Sequence, residues 1–156
     1  MRKKSPIHDL VDRVNKNTTG IFKRDSELVV TLPAVIANVI KNNRIYLSEF
    51  IVAKIKGLIK GNSGHKEITD HVLFDIPKNL SKPREIIEDT RGNKKYLFIN
   101  INPLHTVVVE ISRANWGKTE INTIYPLDSK ELKRLENKFP VVFSSGETPN
   151  LSHTCL

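Results

Sequence analysis

Apolar residues follow a helical period over the first half of the chain and change to a strand period from about residue 85. Ile7, Leu10, Val11 and Val14 share one helical face and predict a short amphipathic helix over 6–16, which Asn15-Lys-Asn-Thr-Thr-Gly breaks. A second helix is expected over 31–41, with Pro33 in its first turn and Val35, Ile36, Val39 and Ile40 as its apolar stripe. Residues 44–47 read as a short strand. Ser48 is a suitable N-cap for a third helix, whose stripe is Ile51, Val52, Ile55, Leu58 and Ile59 and which Gly61-Asn-Ser-Gly stops. A further short helix is expected over 66–74, and Pro77 and Pro83 bracket a connector with one helical turn at 78–80.

Glu85-Ile-Ile-Glu opens the strand region, and Asp89-Thr-Arg-Gly-Asn is a turn. In the next strand Leu97, Ile99 and Ile101 alternate with Tyr96, Phe98 and Asn100. Two more strands follow over 106–112 and 119–125, the earlier one preceded by His105 and the two separated by a loop carrying Trp116. Thr119, Ile121, Thr123 and Tyr125 are expected on one face by period two. Ser129 is expected to cap a last helix over 130–138, with Leu132 and Leu135 inward. Short connections favour an antiparallel meander. The expected fold is α+β, with N-terminal helices packed on a small curved antiparallel sheet of about four strands. The expected organisation is a peripheral helical segment (1–28), an α+β domain (29–143) and a polar tail (144–156).

The chain has 156 residues, long enough to bury a core without staples, and its 38% hydrophobic and 27% charged content fits a soluble globular protein. No apolar run approaches the roughly 20 residues of a membrane span. The basic start is interrupted by Asp9, Asp12 and Arg13, so no signal peptide is expected. The single Cys, Cys155, cannot form an internal disulfide or a Cys-based zinc site, and a reducing compartment is expected. A formal charge of +8 is the strongest global hint, since excess Lys and Arg attract phosphate backbones. Anionic membranes or an acidic protein would answer the same charge.

His65 leads the candidate chemistry. It follows a Gly-containing turn, and an exposed imidazole suits general acid–base work near neutral pH, although surface His residues beside helix ends are common. His71 lies six positions on, which is not the i, i+4 spacing of a helical zinc site. His8, His105 and His153 complete no ligand set, and neither a metal nor another cofactor is expected. Thr123 and Tyr125 offer hydroxyl donors to a phosphate, though both residue types also simply suit strands. Arg84, Lys94 and Lys95 stand at strand entrances as phosphate-binding cations or as ordinary solvated charges. Glu110 is either a buried base or an outward charge. Trp116 is either a stacking platform or an apolar plug. No phosphate loop, Walker pattern or nucleophile elbow is present.

The ordered run of Tyr46-Leu-Ser, an apolar helix, His65, Ile76-Pro, Pro83, Ile86, Tyr96-Leu-Phe-Ile, Val107-Val-Val and Ile121-Asn-Thr-Ile-Tyr-Pro resembles a known group. It looks like the phage-associated branch of the barnase–EndoU–colicin–RelE nuclease superfamily, over roughly residues 44–127. The resemblance implies a helix-plus-antiparallel-sheet fold and metal-independent endoribonuclease activity. It carries over His65 as the post-helix His, Thr123 as the last-strand Thr and, at more variable positions, Arg84 and Lys94. Relatives often carry another His in the first helix; here the segment is Ala53-Lys54-Ile55-Lys56, and Lys54 stands in its place.

The expected function is therefore RNA cleavage, tRNA included, by 2′-OH transesterification. His65, Thr123, Lys54 and Arg84 are the catalytic candidates, and Lys94, Lys95 and Tyr125 the RNA-binding ones. The resemblance implies a toxin or phage effector that acts in the cytoplasm, not on a membrane, with an acidic immunity or antitoxin protein as partner. The alternatives are a non-catalytic basic module that binds RNA or protein, and a structural component of a phage or secretion system.

Overall fold

The computed structural model describes residues 5–92, 94–101, 106–114 and 117–146. His105, Trp116, His153 and Cys155, all weighed above, lie outside the described residues, as does most of the polar tail. The element order is α1 (Pro6–Lys16), β1 (Ser26–Thr31), α2 (Ala34–Ile40), β2 (Arg44–Ser48), α3 (Glu49–Ile55), α4 (Asp70–Phe74) and α5 (Ile76–Ser81). It continues with β3 (Glu85–Asp89), β4 (Lys95–Ile101), β5 (Thr106–Arg113), β6 (Thr119–Leu127), α6 (Ser129–Lys138) and β7 (Val141–Ser144).

The α+β class is as expected, but the sheet is larger than the expected four strands. It is one seven-stranded mixed sheet in the order β1-β2-β6-β5-β4-β3-β7. The meander β3–β4–β5–β6 is antiparallel, as its short connections require. Three more strands extend it. β2 pairs in parallel with β6, and only through Ile45–Thr119 and Tyr46–Glu120. β1 pairs with β2, and β7 with β3, both antiparallel. Both additions are short edge strands (Ser-Glu-Leu-Val-Val-Thr and Val-Val-Phe-Ser), and runs of that length carry no decisive period of their own. Tertiary pairing fixes them.

The sheet sits between two layers. On one face α1 to α5 cover the main core, in which Ile7, Leu10, Ile36, Val52, Leu73 and Leu80 meet Ile86, Phe98, Val109 and Ile124. The segment 1–28 thus contributes Ile7, Leu10, Val11 and Val14, all at most 1% exposed, to that core. On the other face α6 covers a smaller cluster of Ile87, Leu97, Ile99, Val108 and Phe139, with Leu132 and Leu135 packed against it. β4 alternates as expected, with Phe98 in the first cluster and Leu97 and Ile99 in the second. Among the described residues no helix is long and apolar enough to cross a membrane.

Local chemistry sets the helix ends. The Ser5 hydroxyl accepts from the His8 N–H at 3.4 Å ahead of Pro6, and the Ser48 hydroxyl accepts from Ile51 N–H at 3.1 Å. α3 ends at Ile55, earlier than its apolar stripe suggests, because Gly57 turns the chain at φ +76°. α4 begins at Asp70 and not near 66, because Thr69 caps it by accepting from Val72 N–H. Asp128, not Ser129, caps α6, accepting from Glu131 N–H at 2.7 Å. The second helix starts at Ala34, after Pro33, because Thr31 closes β1.

Candidate functional site

β6 decides where the chemistry lies. Its register against β5 shifts between Glu110 and Ile111, so that Ile111 opposes Ile121 while Glu110 opposes Thr123. Asn122 is the extra residue of this bulge, and a bulge breaks the two-residue alternation. Thr119 and Ile121 therefore face the main core, with Thr119 accepting a hydrogen bond from Asn42 Nδ2 at 2.8 Å. Tyr125 instead packs against the cluster under α6. The expected common face for Thr119, Ile121, Thr123 and Tyr125 does not exist; the bulge divides them.

The bulge also collects polar groups. Asn122 Nδ2 donates to Ser112 Oγ at 2.7 Å and to Glu110 Oε2 at 3.4 Å, and Lys95 Nζ lies 3.8 Å from Glu110. Thr123, Tyr125, Glu110 and Lys95 are all half-buried. Burial, and then the charges of Glu110 and Asp89, push the Tyr125 hydroxyl up to about 12, so it stays protonated as a donor.

His65 arrives from the loop after α3. Beyond Glu120, β6 has no partner strand on the β2 side among the described residues. The imidazole of His65 meets the Tyr125 ring there, with centroids 6.4 Å apart and planes tilted by 45°. His65 is exposed, and its backbone N–H donates to the Ile55 carbonyl at 2.9 Å. Two glycines make that bond possible. A Cβ on Gly64 would lie 2.4 Å from both Gly57 N and Ile55 O, and Gly64 has φ +68°. The same tether holds the turn of His65 against the helix end that carries Lys54, whose side chain is exposed.

The structure thus brings His65 to Tyr125, and sets Thr123, Glu110 and Lys95 on the same sheet face as Tyr125, with Lys95 four residues further along the strands. It does not gather the other candidates there. Arg84 lines a separate cleft with Lys82, Asn100 and Ile101 on the side of α2 and α5. Lys94 pairs with Glu88 at 3.3 Å and lines another cleft with Lys41, Asn42, Tyr96 and Arg113. The reason is parity and register: Lys94 lies one residue before Lys95, and Arg84 one before Glu85, so neither shares a face with Tyr125. Glu110 was open to two readings from sequence, and its pairing with Thr123 was not visible because nothing marks the bulge. Asn100 was missed although one signal existed, an amide on the same face as Tyr96 and Phe98.

Among the described residues, no group of three or more His, Cys, Asp or Glu side chains could hold a metal ion. The arrangement offers an exposed imidazole, a protonated phenol and a hydroxyl at β6, and a carboxylate–ammonium pair on the same sheet face across β5 and β4. Those groups suit proton transfer and hydrogen bonding to an oxyanion. No family model matches the chain, and comparisons with curated proteins and with solved structures find no significant match.

Proposed function

We propose that this protein is a metal-independent endoribonuclease that cuts RNA by 2′-OH transesterification at the open edge of β6. The meeting of the His65 and Tyr125 rings beside Thr123 carries this reading. The residue order that resembles the barnase–EndoU–colicin–RelE group and the charge of +8 support it. His65 takes the proton of a ribose 2′-OH. The 2′-oxygen then bonds to the adjacent phosphorus, and the bond from phosphorus to the 5′-oxygen breaks. The leaving oxygen takes a proton from water, and the hydroxide so formed recovers the proton held by His65, giving a 2′,3′-cyclic phosphate, a 5′-OH and a neutral imidazole. The Tyr125 and Thr123 hydroxyls donate to the phosphate, and Lys95 supplies positive charge on the same face. Lys54 stands behind the His65 loop as a further electrostatic group. An acidic neutralising protein is the partner this activity calls for.

The test is incubation of folded protein with RNA in EDTA. Cleavage to cyclic phosphate ends is expected, with a loss on the order of 10²–10⁴-fold in His65→Ala, the range for a general base. Intact RNA, or unchanged cutting by the variant, overturns the assignment. A second reading follows from the separation of Arg84 and Lys94 from His65: a basic module that binds RNA without cutting it. It predicts salt-sensitive binding and no turnover.

A further inference from the structure

The cleft beside Arg84 differs from the β6 edge in shape and lining. It encloses about 570 Å³ between α2, the end of α5, the end of β4 and the end of β7, within the size range of small-molecule sites. Two features point to an occupant. Asn100 lines it, is 6% exposed, and its amide nitrogen has no hydrogen-bond partner among the described residues. Such an amide leaves a buried donor unsatisfied at the cleft wall; its nitrogen is closed to solvent as it stands, and a ligand edge meets it once the amide turns about its Cβ–Cγ bond, which exchanges donor and acceptor. Val35 and Ile101, 62% and 51% exposed, stand on its walls with Phe143. Large apolar side chains left open around one cleft are suited to a flat apolar ring.

Charge completes the set. Lys82 and Arg84 stand at the same cleft, and neither makes an ion pair among the described residues. A ligand with an anionic group, an apolar ring and a polar ring edge matches all three walls. We propose that this cleft binds one nucleotide, its phosphate at Lys82 and Arg84, its base against Val35, Ile101 and Phe143, and its edge on the Asn100 amide. The nucleotide is either a free mononucleotide or one residue of an RNA strand; only the second source rests on the ribonuclease reading. Register allows that second source. Tyr125, Val108, Ile99 and Glu85 form one row across the sheet, so Arg84, next to Glu85, and the Tyr125 that His65 meets stand at the same end of the sheet, three strands or about 14 Å of backbone apart and on opposite faces.

Calorimetric titration of the full chain tests this. The probes are adenosine 5′-monophosphate, inorganic phosphate, adenosine, and a 2′-O-methyl RNA oligomer, which lacks the attacking hydroxyl and cannot be cut. The monophosphate is expected to bind at least tenfold more tightly than phosphate or adenosine alone. Arg84→Gln and Asn100→Ala should each weaken it about tenfold or more, and Lys82→Gln, an exposed change that leaves folding intact, should weaken it several-fold. Equal binding of phosphate and monophosphate, or binding indifferent to all three variants, overturns the proposal. Tighter oligomer than mononucleotide binding assigns the cleft to RNA, and the reverse order assigns it to a free nucleotide. Nucleotide binding without any RNA cleavage would remove the ribonuclease reading and keep this cleft. Cleavage without nucleotide binding at the cleft would do the opposite.

Discussion

Replacing Glu85 by Gln should make the protein more stable at neutral and alkaline pH and flatten its pH dependence. Glu85 starts β3 on the face under α6, is 9% exposed, and one of its carboxyl oxygens has no hydrogen-bond partner. Burial, then its hydrogen bond with Glu136 and the charge of that residue, push its carboxyl up to about 7, with Arg84 opposing. The ordinary value is 4.5, so the native state holds a proton that the unfolded chain releases. The stabilisation from this group is therefore complete below pH 4.5 and is lost as pH rises through about 7. At about 1.4 kcal/mol per pH unit, the loss is at most roughly 3 kcal/mol. Gln keeps the shape and a donor for Glu136 but carries no proton to lose. Urea unfolding of both proteins at pH 5 and pH 8 measures this, because titrations common to both drop out of the difference. The variant should gain about 1–3 kcal/mol relative to wild type between the two pH values. Parallel stability curves would refute the buried-carboxyl argument.

Three further outcomes are expected. Gly64→Ala should cost more than about 2 kcal/mol in urea unfolding and impair RNA cleavage, since its Cβ meets backbone on two sides at a left-handed φ; an unchanged midpoint would mean the His65 tether is not rigid. Leu80→Ala, which empties a fully buried position in the main core, should cost about 2–5 kcal/mol by the same measurement. Tyr125→Phe should slow RNA cleavage at least tenfold with a small change in stability, and the wild-type rate should show no loss with an apparent pKa near 10, because this hydroxyl stays protonated to about 12; such a loss, absent in the variant, would contradict the hydroxyl's role as a donor.

By itself the sequence determined the local elements and the covered faces. Ile7, Leu10, Val11 and Val14 mark α1, Ser48 marks the start of α3, and the alternation from Tyr96 to Ile101 assigns both faces of β4. Those signals are legible because helix and strand periods are set by backbone geometry within one element. Tertiary structure alone decided the rest. The parallel contact of β2 with β6 uses two residue pairs, and the edge strands β1 and β7 are defined by their neighbours. The bulge at Asn122 is a mismatch between two strands and has no trace in either one. That single extra residue sends Thr123 and Tyr125 to the face opposite Ile121, where Glu110 and Lys95 wait, and leaves Arg84 and Lys94 elsewhere. Residue types could be nominated from the chain, but which of them meet depends on register, and register is a property of pairs.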